Sequence, residues 1–317
     1  MKIGNLYNLD SFESFLKSGK KAGFSDSYAG TVLARNLTAV DPRVFEKKYP
    51  ELSFVNSGIE ANNTGGYAQR IQSLRLLEQG SFKTAGDASG NKGKISLTAE
   101  DSFLKVIERE AESNWTDTNV KQAELQGINL VSDYIASHNK IYLREVDEIG
   151  YVGIDSKTGL LNHAGFTSGA ASDAVENLTA QEMYDEIAGL ITDQHNGVYN
   201  TAEYMANRVD MPVTVYNKYA NTMLNTANGS STVLKALQDN YPGITFNATF
   251  RAESVSSSSV TVAYCNNSEA MVMRIPEPLT IGEIIKKGSF DFHVDSKYRI
   301  AGIDVLENTA GRLLTGL

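Results

Sequence analysis

Between Tyr67 and Glu110 the chain reads as two apolar-bearing limbs joined by Gly86-Asp87-Ala88-Ser89-Gly90-Asn91-Lys92-Gly93. Three glycines among Asp, Ser and Asn permit positive φ, which marks a turn tip. The pattern predicts a long hairpin with limbs over 67–78 and 94–110, carrying Ile71, Leu74, Leu76, Ile95, Leu97, Leu104, Val106 and Ile107. A two-stranded hairpin alone in water is marginal and needs a third strand or a helix over its apolar face. The limbs therefore have to lie on their own subunit or on a neighbouring molecule. The sequence leaves that choice open, and predicts a mobile tip in a free subunit, because Gly-rich polar residues bury nothing.

Residues 1–66 pose the same problem. Asp10-Ser11-Phe12-Glu13 has capping-box spacing, with Phe12, Phe15 and Leu16 on one helical face. Asp41-Pro42 places proline at a first helical position, Pro50 ends that helix, and 51–66 is expected to be extended. Such an arm has no core of its own and must lie on another surface.

The rest of the chain can bury a core. At 317 residues, with 41% hydrophobic and 21% charged side chains, it has the composition of a globular protein of one large or two modest domains. The longest apolar runs are short, such as Val262–Cys265 and Ala270–Met273, whereas a membrane-spanning helix needs about 20 residues. Met1–Asp10 has no signal-peptide core. Cys265 is the single cysteine, which excludes an internal disulfide and a cysteine-cluster zinc site and fits a reducing cytoplasm. Net charge is -9, which opposes adhesion to nucleic acid over the whole surface. Residues 1–50 nevertheless hold eight Lys/Arg against five acids, and 151–200 hold one against seven. That asymmetry fits an N-terminal segment facing something anionic, or ordinary surface variation.

Thr116 is a candidate N-cap for a short helix ending near Gly127. A longer helix is predicted over 130–149, where Val131, Ile135, Tyr142, Val146 and Ile149 recur at helical steps, and it is expected to stop at Gly150. Helices and strands then alternate. Helices are expected over 178–191 (capped by Thr179 with Glu182), 217–224 and 231–240 (capped by Ser231). Strands are expected over 211–215, 244–250, 260–265, 270–275, 288–294 and 298–305, with Pro276 and Pro278 closing the middle unit. The fold class is α+β.

Catalytic motifs are missing. Gly86 to Lys94 is too long for a phosphate loop, and Ile95 stands where Ser or Thr should bind magnesium. Gly165-Phe166-Thr167-Ser168-Gly169 puts its serine one residue late for a nucleophile elbow. His138, His163, His195 and His293 form no zinc spacing, and His195 beside Asp193 reads as a surface residue after a helix. Glu182, Asp185 and Glu186 read as a solvated helix face near an N-terminus, and Trp115 as packing. No catalytic, cofactor-binding or metal-binding residue is assigned.

An arm, a long hairpin, a spine-like helix and an interrupted α/β unit, in that order, resemble the major capsid protein of tailed bacteriophages, with the Johnson fold (the Hong Kong ninety-seven-like fold). The resemblance is carried by Asp41-Pro42-Arg43-Val44-Phe45 with Tyr49-Pro50, by Gly150, Gly153 and Gly159-Leu160-Leu161-Asn162 after the helix, and by Arg299-Ile300-Ala301-Gly302-Ile303-Asp304-Val305. It implies an N-terminal arm (1–66), an E-loop (67–115), a peripheral domain (116–177 and 280–317, spine helix 130–149) and an axial domain (178–279). It implies a non-enzymatic head protein that assembles as pentamers and hexamers into an icosahedral shell around double-stranded DNA, in the virion, built in the host cytoplasm. Its partners would be itself, portal and decoration proteins, and DNA without sequence preference, with scaffolding either supplied by a separate protein or absent. Some relatives crosslink an E-loop lysine to asparagine, but no motif marks Lys83, Lys92 or Lys94, and no crosslink or cofactor is expected. Two alternatives are an encapsulin-like shell and a soluble α/β enzyme built on 178–279.

Overall fold

The computed structural model describes residues 54–83, 93–125, 127–154, 158–198, 204–226, 229–255 and 258–317. The arm helices expected before Pro50 lie outside the described residues, as does the hairpin tip 86–93 except for Gly93.

The elements in chain order are β1 (Ala61–Asn62), β2 (Arg70–Gly80), β3 (Ile95–Lys105), β4 (Ile107–Thr116), α1 (Asp117–Leu125), α2 (Leu130–Tyr151), β5 (Thr167–Ala170), α3 (Ala180–Gly197), β6 (Arg208–Pro212), α4 (Val213–Asn221), β7 (Met223–Thr226), β8 (Gly229–Thr232), α5 (Val233–Asn240), β9 (Thr245–Thr249), β10 (Val260–Tyr264), β11 (Met271–Arg274), β12 (Glu277–Ile281), β13 (Ile285–Lys286), β14 (Asp291–Ile300), β15 (Gly302–Val305) and β16 (Gly311–Thr315).

The hairpin forms as expected, β2 pairing antiparallel with β3 from Arg70↔Lys105 to Gly80↔Ile95. Its second limb is shorter than predicted. The chain breaks at Val106, and 107–116 becomes β4, which pairs with β14 along its whole length from Ile107↔Ile300 to Thr116↔Asp291. Beneath this pair runs α2, capped by the Asn129 side chain on the Ser132 N–H. The spine does not stop at Gly150 but continues to Tyr151. Gly150 is there because a Cβ would lie 2.5 Å from the Phe54 ring.

One core packs Ile149 and Tyr151 of α2 with Phe54, Tyr264, Met271 and Ile300; a second surrounds a five-stranded sheet of order β5-β16-β10-β6-β9, flanked by helices α3, α4 and α5. Two of its strands, β5 and β16, come from outside 178–279. The predicted Thr179–Glu182 capping box is present. Other boundaries move. Helix α5 is capped by Thr232 rather than Ser231. Pro212 ends β6 and pre-sets the turn into α4, so the expected strand 211–215 and helix 217–224 both start earlier. Pro278 sits inside β12 rather than closing the unit; the register slips there, between Glu277 and Thr280, as proline in an edge strand allows. The two strands expected over 288–305 are one long β14 followed by β15, the bend falling at Gly302 with φ +92.

Candidate assembly surface

The hairpin root is pinned to the body at three levels. Arg299, 6% exposed, donates from Nη1 to Gly66 O at 2.7 Å and from Nη2 to Ala68 O at 3.1 Å. Its guanidinium also lies over the Tyr67 ring, 5.6 Å from the centroid. One turn outward, Ile71 and Val106 pack on Ala301. Ser73 donates to Asp304 Oδ2, which also holds Arg274 Nε at 3.1 Å. Furthest out, Arg75 pairs with Glu307.

Beyond these pins the pleat sorts the side chains. Cross-strand partners share a face, so Leu74, Leu97, Ile95 and Phe103 all point away from the side that carries Ile71 and Ser73. Each of the four is about 60% exposed, at 60% or 61%. The question the sequence left open resolves by register: Ile71, Leu104 and Val106 serve the subunit itself, and the other face has no cover among the described residues. Burying a Leu, Ile or Phe side chain contributes roughly 1.5–3 kcal/mol, so covering this face would be strongly favourable. A second apolar patch, Ile284, Ile285 and Phe290, lies near the far end of the β4–β14 pair.

Behind the hairpin the two cores are joined by buried polar groups. Asp147 of α2 accepts from the Phe54 N–H at 2.9 Å and from Arg251 Nε at 2.9 Å. Asp210 of β6 is fully buried and bonded to Tyr151, Tyr264 and Asn247 at 3.0–3.1 Å. Burial pushes its carboxyl up from the usual range, against the hydrogen bonds that favour the anion. The Tyr264 hydroxyl lies 3.1 Å from two acceptors, Asp210 Oδ2 and Ser57 O, and shares its one proton between them. His138 bridges Ser113 of β4 and Ser296 of β14 at 2.8 and 2.6 Å. These contacts fix the plate that carries the hairpin; they gather around no open reaction centre.

The groups weighed from sequence fall where packing needs them. Glu182 caps α3, Glu186 accepts from the Ser172 N–H, and Asp193 pairs with Arg312. His195 lies in the last turn of α3 rather than after it, facing Ala206 O at 3.4 Å. Trp115 is buried and stacked on Tyr134. Ser168 lies in β5, paired with Leu313 of β16. Lys83 and Lys94 are exposed, and Lys92 lies outside the described residues.

A family profile described as major capsid protein matches residues 84–317. The chain belongs to that family. The capsid protein of the myovirus XM1 is 42% identical, covers 90% of this chain and 98% of its own, and superposes with a TM-score of 0.82. The capsid of a native GTA particle (13% identical, TM-score 0.67, covering 90% of this chain and 98% of its own) and that of Mycobacterium phage Ogopogo (13%, 0.62, covering 90% and 99%) share the fold. No curated protein sequence matches. The protein is thus a tailed-phage major capsid protein with the α+β Johnson-type fold. It is a structural, shell-forming component of the virion and not an enzyme, and neither the encapsulin-like nor the enzymatic alternative gains support.

Proposed function

We propose that this capsid protein assembles as pentamers and hexamers into an icosahedral shell that encloses double-stranded DNA, each hairpin laying its apolar face on a neighbouring subunit. The observation that carries this reading is the row Leu74, Ile95, Leu97 and Phe103, exposed on one face of a hairpin whose other face is pinned to its own body. Interfaces of the stable class bury at least about 1,200 Å², and extensions of this length supply such contacts. In this arrangement 1–66 acts as the arm, 67–115 as the E-loop, 116–177 with 280–317 as the peripheral domain around spine 130–149, and 178–279 as the axial domain. Assembly takes place in the bacterial cytoplasm with separate scaffolding, portal and decoration proteins. DNA contact is weak, salt-sensitive and without sequence preference, any positive lining coming from Lys17, Lys20, Lys21 and Arg35 of the arm.

The test is electron microscopy and light scattering of the full chain, alone and with its scaffolding partner. Closed shells with five- and six-fold capsomers are expected. A chain that stays monomeric under both conditions overturns the proposal, and nanomolar sequence-selective DNA binding at physiological salt overturns the reading of genome contact.

A further inference from the structure

The outward face of the β4–β14 pair carries charged residues in register. Glu108 stands opposite Arg299 and Glu110 opposite Lys297, so each carboxylate meets a cation across the ladder. One step further the alternation fails: Glu112 stands opposite Asp295. Like charges directly opposite one another on a sheet repel, and this position calls for a cation.

His293 lies two residues before Asp295 on the same face of β14. Its Nε2 is 3.8 Å from Asp295 Oδ2, and ligand atoms of Glu112, His293 and Asp295 all lie within 4.8 Å of one another. Zinc bonds to imidazole nitrogen and carboxylate oxygen of about 2.0–2.2 Å put neighbouring tetrahedral ligand atoms about 3.4 Å apart. Small rotations of the two exposed carboxylates bridge the difference. The imidazole needs no such freedom, since its side chain is only 14% exposed and its Nδ1 is buried without a hydrogen-bond partner. Of its two ring nitrogens, Nε2 is the one that faces the Asp295 carboxylate.

There is room for the remaining coordination positions. Gly282 flanks Asp295 on the other side, its N–H donating to Asp295 O at 2.8 Å, and contributes no side chain. A groove of about 590 Å³ opens there between Glu110, Glu112, Thr280, Gly282, Asp295 and Lys297. The resident competitor is Lys287, whose Nζ is 3.6 Å from Glu112 Oε1, but its side chain is 66% exposed. Pairs of that kind are worth little, so an arriving ion displaces it easily.

We propose that Glu112, His293 and Asp295 form a binding site for one divalent transition-metal ion of the zinc class. One imidazole with two carboxylates suits such an ion better than calcium or magnesium, which take oxygen ligands. The ion ties β4 to β14 just before the chain enters α1, at the end of the sheet bearing Ile285 and Phe290.

The experiment uses the full chain, stripped of metal and titrated with zinc chloride in a calorimeter, with thermal unfolding followed in parallel. Wild type is expected to saturate at one zinc per chain and to unfold at a higher temperature with zinc present. Magnesium should not substitute. His293→Asn should weaken zinc binding at least tenfold and abolish the thermal shift, while His195→Asn, on α3, should leave both unchanged. Glu112→Gln with Asp295→Asn removes two exposed ligands and keeps the test valid if His293→Asn fails to fold. No saturable binding up to about 1 mM zinc, or binding unchanged in the His293 and Glu112/Asp295 variants, overturns the proposal.

Discussion

The ring of Phe54 meets that of Tyr151 edge-on, with centroids 5.3 Å apart and planes at 90°. The segment around Phe54 is thus seated on the last turn of the long helix α2, and its seat is Gly150. A methyl group there would lie 2.5 Å from two Phe54 ring carbons. Helical Gly189, by contrast, has nothing within 4 Å of its hypothetical Cβ.

The two glycines should therefore respond to alanine with opposite signs. Alanine gains roughly 0.8–1 kcal/mol over glycine in a helix interior, and overpacking takes back about 1–3 kcal/mol. Gly189→Ala should raise the urea midpoint of the subunit, and Gly150→Ala should lower it. If both variants gain stability, Phe54 moves aside freely and does not hold its own segment to the helix.

Asp210 makes a prediction about pH. Its folded carboxyl titrates above the ordinary 3.8 because it is buried. Between 3.8 and its folded value the native chain holds a proton that the unfolded chain has released. Stability is therefore full below this window and falls as pH rises through it, by up to about 1.4 kcal/mol per pH unit for one proton. Asp210→Asn keeps acceptors for Tyr151 and Tyr264 and removes the titration, so its stability should vary less with pH on the alkaline side of pH 4. Urea unfolding from pH 4 to 8 checks this; parallel profiles for the two proteins would mean that the carboxyl titrates alike folded and unfolded.

What could be read from the sequence follows the range of the interactions. The Thr179–Glu182 box and the Thr116 cap act over three residues, and both are present. The hairpin was legible because its tip and limbs are contiguous. Its facing was not, because whether Leu74 or Ser73 meets the body depends on Asp304 and Glu307, more than 200 residues on. Strand β16 was missed for the same reason: Leu313 and Leu314 acquire meaning only between β5 and β10. The Glu112–Asp295 juxtaposition needs the register of two strands far apart in the chain, which no spacing rule conveys. The family, by contrast, was readable from the order of segments and a few short motifs, since these survive without any knowledge of contacts.

Arg299 should be the most sensitive of the three pins. Its fork holds two carbonyls of the turn at Gly66–Ala68, and Glu108 lies 3.4 Å from its Nε. Arg299→Ala leaves these groups without their cation and should lower subunit stability by about 3 kcal/mol. Arg299→Lys restores charge but not the fork and should recover only part of the loss. Arg75→Ala, at a more exposed pair, should cost less than about 1 kcal/mol. Equal losses at Arg75 and Arg299 would show that the root is held by the outer pin as much as by the inner one.

The hairpin itself gives the last prediction, and the structure sets where to cut. Removing all of 68–110 would take away Ile71 and Val106, which pack on Ala301, and the first residues of β4, which pair with β14. Arg75 and Glu100 are direct cross-strand partners, so 76–99 can be replaced by a two-residue Asn-Gly turn of the kind that closes hairpins. All three pins survive this cut, while Ile95 and Leu97 leave with the outer limbs. The shortened subunit should unfold cooperatively with nearly the wild-type midpoint and form no closed shells. A milder version, Leu97→Asp in the full chain, places a charge in the middle of the exposed apolar row and should reduce shell yield without moving the subunit midpoint. Both are read by sedimentation and negative-stain microscopy beside a denaturation curve. Wild-type shells from the shortened chain would remove the hairpin from assembly; loss of cooperative unfolding would show that its outer limbs belong to the core of their own subunit.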